Sequence, residues 1–469
     1  MTITLRDYQS ALVEDTRALM RDGKRRVVCV LATGGGKSLI CASVAKGVVE
    51  RNKRGLIMAH RQELIEQLST ALTSCDVSHA VIEPGTRHMP RANMMVGSVQ
   101  MLARRTHLIA PPDFIFVDEC HHAVRGGQYA KIIQAFPDAL VMGLTASPAR
   151  LDGRGLGEMF DGMAVGPSVS ELTERGYLVP AEVWSTAVQP DLSGVKIAMG
   201  DYQTAALADA MDKPRITGDA VKHYSKIAPG KAAVAFCCSV KHAHDVAADF
   251  CAAGYRFVAL DGNTYAPLRK QYIEDLRTGA IHGICSAEII SEGVDVPRIE
   301  CAIMLRPTQS LMVFIQQIGR GLRPYPGKEK CIVLDHAGLV MRHGLPDEPR
   351  EWSLDGVARK KSGDKPPPVR TCPECFAAHR PAPVCPRCQF VYPIQSRTVE
   401  QVDGDLQLVT DPKRINMEEL LAEPARKKEY DFLLRRARTK GYKDAWAWHI
   451  VASKEAKRRI KRIQGASGG

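Results

Sequence analysis

The chain of 469 residues lacks the features that mark membrane and secreted proteins. It contains no run of eighteen apolar residues, which is about the length that a membrane-spanning helix needs. Its first ten residues, MTITLRDYQS, lack the basic and then apolar order of a secretory signal peptide. We therefore expect a cytoplasmic protein with no membrane partner.

The sequence also lacks a disulfide framework. Ten of the fourteen cysteines are scattered through segments that look like strands and helices, and the other four cluster near the C-terminus. A reducing compartment uses cysteine in this way, as a small buried apolar residue or as a metal ligand. The distribution supports the cytoplasmic expectation.

What the sequence does have is an excess of positive charge. The 64 Lys and Arg outnumber the 52 Asp and Glu, for a net charge of +12. Between Lys413 and Ile463 there are sixteen basic and seven acidic residues, so most of the excess lies in this segment. Concentrated basic charge is typical of proteins that bind a polyanion such as nucleic acid.

A glycine-rich segment, LATGGGKS, occupies residues 31–38 between a β-branched run and an apolar run that can form a helix. Glycines at a strand-to-helix turn let backbone N–H groups surround phosphate oxygens at the positive end of the helix. The general phosphate-loop pattern begins with glycine, where this chain has Leu31, so a turn without a ligand stays an alternative for the segment alone. The candidate phosphate-binding residues are Thr33, Gly34, Gly35, Gly36, Lys37 and Ser38.

An acidic pair further along the chain predicts the chemistry of this site. Asp118 directly follows the apolar run 114–117 and can hold Mg²⁺ together with Ser38. Glu119 can polarise a water for attack on the γ-phosphate, which Lys37 neutralises. Alone, the pair would read as a solvated strand end, but its position downstream of a phosphate loop favours catalysis.

Short apolar runs separated by helical patterns predict a parallel sheet with helices on both faces. The expected strands include 55–60, 94–98, 114–118 and 140–145. Ligands bind at the carboxyl ends of the strands in such sheets. The polar residues at these ends are His60, Arg61, Ser98, Gln100, Thr145 and Ser147.

A second strand-and-helix pattern follows a looser, proline-containing stretch, and its expected strands are 232–236, 257–260, 283–285, 301–305 and 331–334. It has no phosphate loop but ends with QQIGRGLR at 316–323. We predict that Arg320 and Arg323, three residues apart, lie on one helix face and reach anionic oxygens together. The two patterns indicate an ATP site divided between two α/β units.

The order of these motifs resembles that of the superfamily-2 helicases, and most of all the RadD-type DEAD/DEAH-box proteins of bacteria and phages. The similarity covers about residues 5–340. The motifs that resemble those of the family are RDYQ (6–9), ATGGGKS (32–38), AHRQEL (59–64), GSVQ (97–100), DECH (118–121), TAS (145–147), SEGVD (291–295) and QQIGRGLR (316–323). A missing first glycine in the phosphate loop is normal for this family.

The resemblance implies an α/β fold with two RecA-like parallel-sheet domains, at 1–165 and 215–345, joined by a connecting segment at 166–214. It implies ATP and Mg²⁺ as cofactors, with Arg320 and Arg323 as arginine fingers that act when the cleft closes. Further residues implied at the nucleotide are Arg6, Gln9, Gly293 and Asp295. Those implied at the nucleic acid are His60, Arg61, Ser98, Gln100, Thr145 and Ser147.

After a predicted linker at 346–370, two CxxC pairs nine residues apart predict a zinc ribbon at 371–393. The predicted Zn²⁺ ligands are Cys372, Cys375, Cys385 and Cys388. Four thiolates leave no open coordination position, so the metal would be structural. Two chance pairs, or a redox CxxC, are the alternative.

The basic segment 413–463 reads as helices. We expect its tryptophans to pack these helices together and its basic residues to contact nucleic acid.

The whole chain is interpreted as an ATP-dependent helicase or translocase that acts on single-stranded or branched DNA in replication, recombination or repair. Candidate partners are proteins of these processes, such as a single-strand binding protein. The alternatives are a double-strand DNA translocase that separates no strands, an RNA helicase, and a non-enzymatic switch that binds ATP and nucleic acid. The intact Glu119, Arg320 and Arg323 argue against the last.

Overall fold

The computed structural model describes residues 4–82, 86, 88–150, 153–185, 195–198, 201–203, 207, 214–287, 295–356, 368–393 and 417–466. The chain divides into two compact units, Met1–Pro393 and Ile394–Gly469. Within the described part of the chain, no helix is long and apolar enough to cross a membrane.

The first unit begins with lobe 1, a seven-stranded sheet in the order β3-β4-β2-β5-β6-β1-β7 in which all paired strands are parallel. Its strands are β1 (Arg26–Val30), β2 (Gly55–Ala59), β3 (Ala80–Ile82), β4 (Met94–Ser98), β5 (Phe114–Asp118), β6 (Leu140–Thr145) and β7 (Gly162–Val165). The central strands are buried on both faces, which explains why they are apolar throughout rather than alternating.

Helices cover both faces of this sheet. They are α1 (Asp7–Arg21), α2 (Lys37–Glu50), α3 (Gln62–Ser74), α4 (Val99–Arg104), α5 (Gln128–Ala135) and α6 (Val169–Glu174). Successive residues of β2 point to opposite faces, so that Ile57 joins the apolar cluster under α2 and α3, while Leu56 and Met58 join the cluster under α4 and α5.

Lobe 2 is an eight-stranded sheet in the order β12-β13-β11-β14-β15-β8-β17-β16. Its strands up to residue 335 are parallel, and a two-stranded ribbon of β9 and β10 lies apart from the sheet. The strands are β8 (Ala181–Ser185), β9 (Ile197–Ala198), β10 (Asp201–Tyr202), β11 (Ala233–Phe236), β12 (Phe257–Leu260), β13 (Gly283–Ser286), β14 (Cys301–Met304) and β15 (Cys331–Asp335). The helices are α7 (Pro214–Ile227), α8 (Val240–Ala252), α9 (Ala266–Thr278), α10 (Leu311–Gly319) and α11 (Leu339–His343).

The two parallel sheets confirm the predicted α/β class with two RecA-like lobes. Strand β8 falls within the predicted connecting segment, yet it pairs with β15 along its full length. The cysteine-rich region contains a hairpin of two short strands, β16 (Arg370–Thr371) and β17 (Ala377–His379). Because β17 pairs antiparallel with β8, this hairpin extends the sheet of lobe 2.

Part of the predicted linker packs on lobe 1. Residues 350–356, which we call the strap, return from lobe 2 to lobe 1 after α11. Trp352 and Leu354 pack against an apolar cluster of lobe 1, and the Gly157 N–H donates to the Leu354 carbonyl at 2.9 Å. Arg154 and Gly356 form an antiparallel bridge. Most of the proline-rich part, 357–367, lies outside the described residues.

The second unit is a small group of helices. These are α12 (Met417–Leu421), α13 (Pro424–Thr439) and α14 (Ala445–Ala466). Their buried core is formed by Leu420, Leu433, Ala447 and Val451, with Trp446 and Trp448 packed against it. The tryptophans therefore hold these helices together, as the sequence predicts.

Candidate ATP site and nucleic-acid interface

The glycine-rich loop joins β1 to α2, as a phosphate loop requires. Gly34 and Gly36 have φ values of +87° and +93°, in the left-handed region that glycine adopts without strain. A Cβ on Gly36 would also lie 2.3 Å from Nε2 of Gln9. The backbone geometry thus favours glycine at position 36, and a side chain there would displace the amide of Gln9 from its place on the loop.

Two side chains from the start of α1 brace this loop. The hydroxyl of Tyr8 and Nε2 of Gln9 each donate to the Gly35 carbonyl at 2.8 Å, and Oε1 of Gln9 accepts from the Arg6 N–H at 2.9 Å. Gln9 is only 2% exposed, so in this structure it positions the loop and presents no surface to a nucleobase.

Arg6 lies at the cleft beside an aromatic residue that the motif pattern did not mark. Its guanidinium is 4.6 Å from the ring centroid of Tyr177, which is in turn 4.9 Å from the ring of Tyr8. Both Arg6 and Tyr177 line the cleft. A guanidinium and an aromatic ring are both groups on which a nucleobase can stack. Tyr177 is far from Tyr8 in sequence, so only the tertiary structure brings the two rings together.

The acidic pair lies at the carboxyl end of β5. Asp118 and Glu119 are both buried, and Glu119 has φ +46° and ψ +54°, an uncommon left-handed conformation for a residue other than glycine. Such outliers cluster at functional sites. Burial, followed by the charge of Glu119, raises the pKa of Asp118 to about 7, while Lys37 acts in the opposite direction. Burial likewise lowers the pKa of Lys37, and the two carboxylates oppose this.

These residues fit a bound Mg²⁺. Two adjacent buried carboxylates repel each other, and a divalent cation relieves that repulsion. The Ser38 hydroxyl and the Asp118 carboxylate supply the hard oxygen ligands that Mg²⁺ prefers. Both residues line the same cleft, so this chain has a donor set for the ion where the motifs predict it.

The prediction that Arg320 and Arg323 share a helix face is wrong. Helix α10 ends at Gly319, Arg320 caps it, and Arg323 lies beyond the following turn. A Cβ on Gly319 would lie 2.4 Å from Cβ of Thr33, so a glycine is needed here for lobe 2 to approach the phosphate loop of lobe 1. Both arginines nevertheless line the cleft.

The cleft between the lobes has a volume of about 1120 Å³ and holds the predicted catalytic residues of both lobes. This is ample for a nucleotide, since typical ligand sites measure roughly 300–1,000 Å³. Arg323 forms an ion pair with Asp295, so the two residues predicted from separate motifs meet at the cleft. Gly293 lies outside the described residues. On the same side of the lobes, Arg269 of α9 and Glu63 of α3 form an ion pair at 2.7 Å.

A buried lysine, missed by motif analysis, supports this part of lobe 2. Nζ of Lys328 donates to the carbonyls of Arg323 at 2.8 Å, Ile299 at 2.5 Å and Pro297 at 3.0 Å. It therefore ties the segment after Asp295 to the segment that carries Arg323. Burial lowers the pKa of Lys328 to about 8.

A buried hydrogen-bond chain links the acidic motif to lobe 2. Nε2 of His121 lies 3.4 Å from Nε2 of Gln316, and Nδ1 of His121 lies 3.1 Å from Oγ1 of Thr145. The Thr145 hydroxyl also accepts from the Ser147 N–H at 3.1 Å. Thr145 and Ser147 are fully buried, so neither presents surface to a nucleic acid here. Their hydrogen bonds stay within lobe 1 and support His121, which makes the contact with Gln316 of lobe 2.

The other predicted nucleic-acid residues lie at the carboxyl ends of β2 and β4. Nε2 of Gln100 donates to the His60 carbonyl at 3.4 Å, which brings these two strand ends together. Gln100 is exposed, and His60 and Arg61 are partly exposed. The Ser98 hydroxyl accepts from the Met101 N–H and caps α4. The carboxyl edge of this sheet therefore brings the polar groups of His60, Arg61 and Gln100 together. The Ser98 hydroxyl is instead used to cap a helix.

The four C-terminal cysteines form a compact cluster whose sulfur atoms all lie within 4.8 Å of one another. Sγ of Cys372 is 3.6 Å from that of Cys388, and Sγ of Cys375 is 3.8 Å from that of Cys385. Zn–S bonds of about 2.3 Å in a tetrahedron place sulfur atoms about 3.8 Å apart. The thiols are thus arranged as a tetrahedral metal would hold them.

Comparisons with known proteins agree with this geometry. Residues 2–150 match the family described as "Type III restriction enzyme, res subunit", and residues 215–324 match "Helicase conserved C-terminal domain". A 51.5 kDa protein of Lactococcus phage (isolate 7-9) is 30% identical over 384 residues, which cover 81% of this chain and 81% of that protein. The chain therefore belongs to the superfamily-2 helicases of the DEAD/DEAH type, whose members are ATP hydrolases.

A second relative is IRC3 of Saccharomyces cerevisiae (strain ATCC 204508 / S288c), whose name describes an ATP-dependent helicase. It is 29% identical over 355 residues, which cover 71% of this chain and 51% of the yeast protein. This chain thus spans about half the length of that relative. Among solved structures, the type ISP restriction-modification enzyme LlaBIII bound to DNA matches with a TM-score of 0.53 at 18% identity, over 71% of this chain and 28% of that chain. That likeness concerns the fold.

Proposed function

We propose that the protein is an ATP-driven motor that moves along DNA and separates its strands, in replication, recombination or repair. The observation that carries this proposal is the cleft in which the phosphate loop and acidic pair of lobe 1 meet Arg320 and Arg323 of lobe 2. Positive groups of both lobes can stabilise the negative charge on the γ-phosphate only when the cleft is closed. ATP therefore favours the closed form, and hydrolysis releases it.

In this proposal each residue has a role set by its position. Lys37 neutralises the β- and γ-phosphates, Glu119 orients and deprotonates the attacking water, and the two arginines stabilise the charge that develops in transfer. Ser38 and Asp118 hold Mg²⁺, which neutralises phosphate charge when bound. Arg6 contributes to the nucleobase site, Gln9 braces the loop, and Asp295 orients Arg323.

The nucleic acid would run across the carboxyl edge of lobe 1, where His60, Arg61 and Gln100 lie together. The net charge of +12 supports a polyanion, and the relatives named as restriction enzymes favour DNA over RNA. Contacts to the backbone make binding largely independent of sequence. Single-stranded or branched DNA is the proposed substrate, and a single-strand binding protein is a candidate partner.

The test is ATP hydrolysis measured with single-stranded DNA, blunt duplex, forked DNA and RNA of matched length. We expect the largest stimulation with single-stranded or forked DNA, and none in the matched variant Glu119→Gln. Equal stimulation by RNA would contradict the DNA assignment. No response to any nucleic acid would contradict the motor itself.

A second candidate is a duplex DNA translocase that separates no strands. The match of residues 2–150 to a restriction-enzyme subunit family favours it. A triplex-displacement assay beside an unwinding assay separates the two functions. Displacement of a third strand without unwinding of a fork would assign the translocase, whereas unwinding supports the helicase.

We also propose that the cysteine cluster binds one structural Zn²⁺. The hairpin of β16 and β17 has strands of two and three residues, too short to be stable by pairing alone, so a metal would supply folding energy. None of the fourteen cysteines forms a disulfide, which fits a reducing compartment and the proposed cytoplasmic location.

A further inference from the structure

Helix α13 in the second unit has an aromatic residue on its solvent face. Another face of the helix buries Leu433 and Ala437, and Leu433 joins the core with α12 and α14. Phe432 lies about 100° around the helix from Leu433 and has 60% of its surface exposed. Phenylalanine is usually buried, so a ring left this exposed on a well-packed helix is informative.

Basic residues outnumber acidic ones around the ring of Phe432, where Glu429, three residues before it, pairs with Lys454 at 2.5 Å. Lys428, Arg435 and Arg436 lie four residues before, three after and four after it, which makes them its neighbours on the helix surface. All three are exposed, and none forms an ion pair with another described residue. Arg438, by contrast, pairs with Asp444 at 2.9 Å.

The pattern continues at the turn into α14. Tyr442 is 50% exposed and lies between the exposed Lys440 and Lys443. Its ring packs at 5.3 Å from that of Trp446, which holds it in place on the helices. A second exposed aromatic ring therefore has cations close to it in the sequence.

An aromatic ring among cations matches single-stranded nucleic acid. Unpaired bases stack on aromatic side chains, and Lys and Arg contact the neighbouring phosphates. A protein-docking surface would need further apolar residues around the ring. The solvent face of α13 offers none, because its other residues near Phe432 are Lys428, Glu429, Asp431, Arg435, Arg436 and Thr439.

We infer that the face of α13 formed by Lys428, Phe432, Arg435 and Arg436, which we call the α13 face, is a stacking site for single-stranded nucleic acid. The inference rests on the proposed function and adds to it a second contact, outside the two lobes, that recognises unpaired bases. A base in a duplex is already stacked, so this site would distinguish single strands from duplex.

The first experiment measures binding of the full chain to a labelled oligo-dT and to a blunt duplex by fluorescence anisotropy. Phe432→Ala should weaken oligo-dT binding about tenfold, within the range for loss of one stacked base. Phe432→Trp should retain binding, whereas Phe432→Leu, which keeps an apolar side chain, should weaken it as alanine does. Duplex affinity should not change. An oligo-U of the same length tests whether the site also accepts RNA.

The second experiment measures the salt dependence of oligo-dT binding. Replacing Lys428, Arg435 and Arg436 together by Gln should lower the slope of log K against log salt by about 2, because each phosphate contact on a single strand contributes about 0.7. Phe432→Ala should leave the slope unchanged. Arg438→Gln is the matched control, since its charge is already paired, and should alter neither quantity.

Each result that contradicts the stacking site points to a different explanation. Phe432→Leu binding as the wild type does would show that stacking is not involved and overturn the inference. An effect of the Phe432 variants on sedimentation of the protein alone, without an effect on oligo-dT binding, would assign the face to a second copy of the chain and also overturn it. If nucleic acid stimulates ATP hydrolysis but all Phe432 variants bind oligo-dT normally, this inference fails while the proposed function stands. If the wild type responds to no nucleic acid, the proposed function fails first.

Discussion

The contact between the strap and lobe 1 makes Gly155→Ala a sharp test of the structure. A Cβ on Gly155 would lie 1.9 Å from the Leu354 carbonyl oxygen and 2.3 Å from the Gly356 nitrogen, far inside van der Waals contact. These are backbone atoms, which have no rotamer to change. We therefore expect the alanine variant to displace the strap from lobe 1.

The cost follows from what the strap buries. Displacement exposes the partly buried side chains of Trp352 and Leu354 and breaks the hydrogen bond from Gly157 to Leu354. Partial burial of two large apolar side chains and one backbone hydrogen bond together contribute about 3 kcal/mol. For a lobe of this size, that loss lowers the melting temperature by roughly 6 to 12 °C.

The assay is thermal unfolding of the full chain with intrinsic tryptophan fluorescence. Gly155→Ala should melt earlier and its emission should shift to longer wavelength as Trp352 enters water, a shift that the Trp352→Phe background removes. Gly157→Ala is the matched control, because its Cβ would lie 3.2 Å from the same carbonyl oxygen and needs only a small adjustment. If Gly155→Ala melts with the wild type, the strap contact described here is wrong.

Three further predictions concern the ATP site, the metal and pH. The Glu119→Gln variant should still bind ATP, while its rate of hydrolysis falls by about a hundredfold or more; binding and hydrolysis are measured side by side. A normal rate of hydrolysis would show that Glu119 is not the general base. Metal analysis of freshly purified protein should find one zinc per chain. Cys372→Ser should release this zinc and unfold the hairpin that pairs with β8, which circular dichroism would detect. Wild-type protein without zinc would contradict the zinc ribbon. Turnover should decline above a pH of about 8, because the neutral Lys328 amine donates fewer hydrogen bonds to the carbonyls that position Arg323. Persistence of this decline in Lys328→Arg, whose side chain stays charged, would exclude Lys328 as its cause.

The pH prediction has a defined sign for stability as well. The folded pKa of Lys328 lies near 8 and below the ordinary value of 10.5, mainly because of burial, with Cys331 and Glu300 acting against it and Arg323 and Lys231 adding to it. The unfolded chain therefore binds more protons between these values. The cost of burying the ammonium is fully present below pH 8 and fades as pH rises toward 10.5, so the loss of turnover is not a loss of fold.

The sequence alone predicted the two α/β lobes and marked most residues of the candidate ATP site. Strands buried on both faces must be apolar throughout, so β2, β5 and β6 stand out as short apolar runs. The chain must place polar residues directly after such strands to build a site at the sheet edge, and for this reason Asp118 and Glu119 are visible without a structure. The four cysteines are likewise recognisable, because their spacing is that of a tetrahedral metal site.

Only the tertiary structure decided which groups meet across long stretches of chain. The contacts of Tyr177 with Tyr8, of Gln316 with His121 and of Lys328 with the Arg323 carbonyl are set by packing between elements that have no fixed sequence separation. The same holds for the strap, whose polar sequence predicts a linker but whose Trp352 and Leu354 find an apolar surface on lobe 1. A local sequence pattern shows the periodicity of one strand or helix, or the metal-binding residues of one turn. Contacts between distant segments depend instead on how the sheets and helices pack.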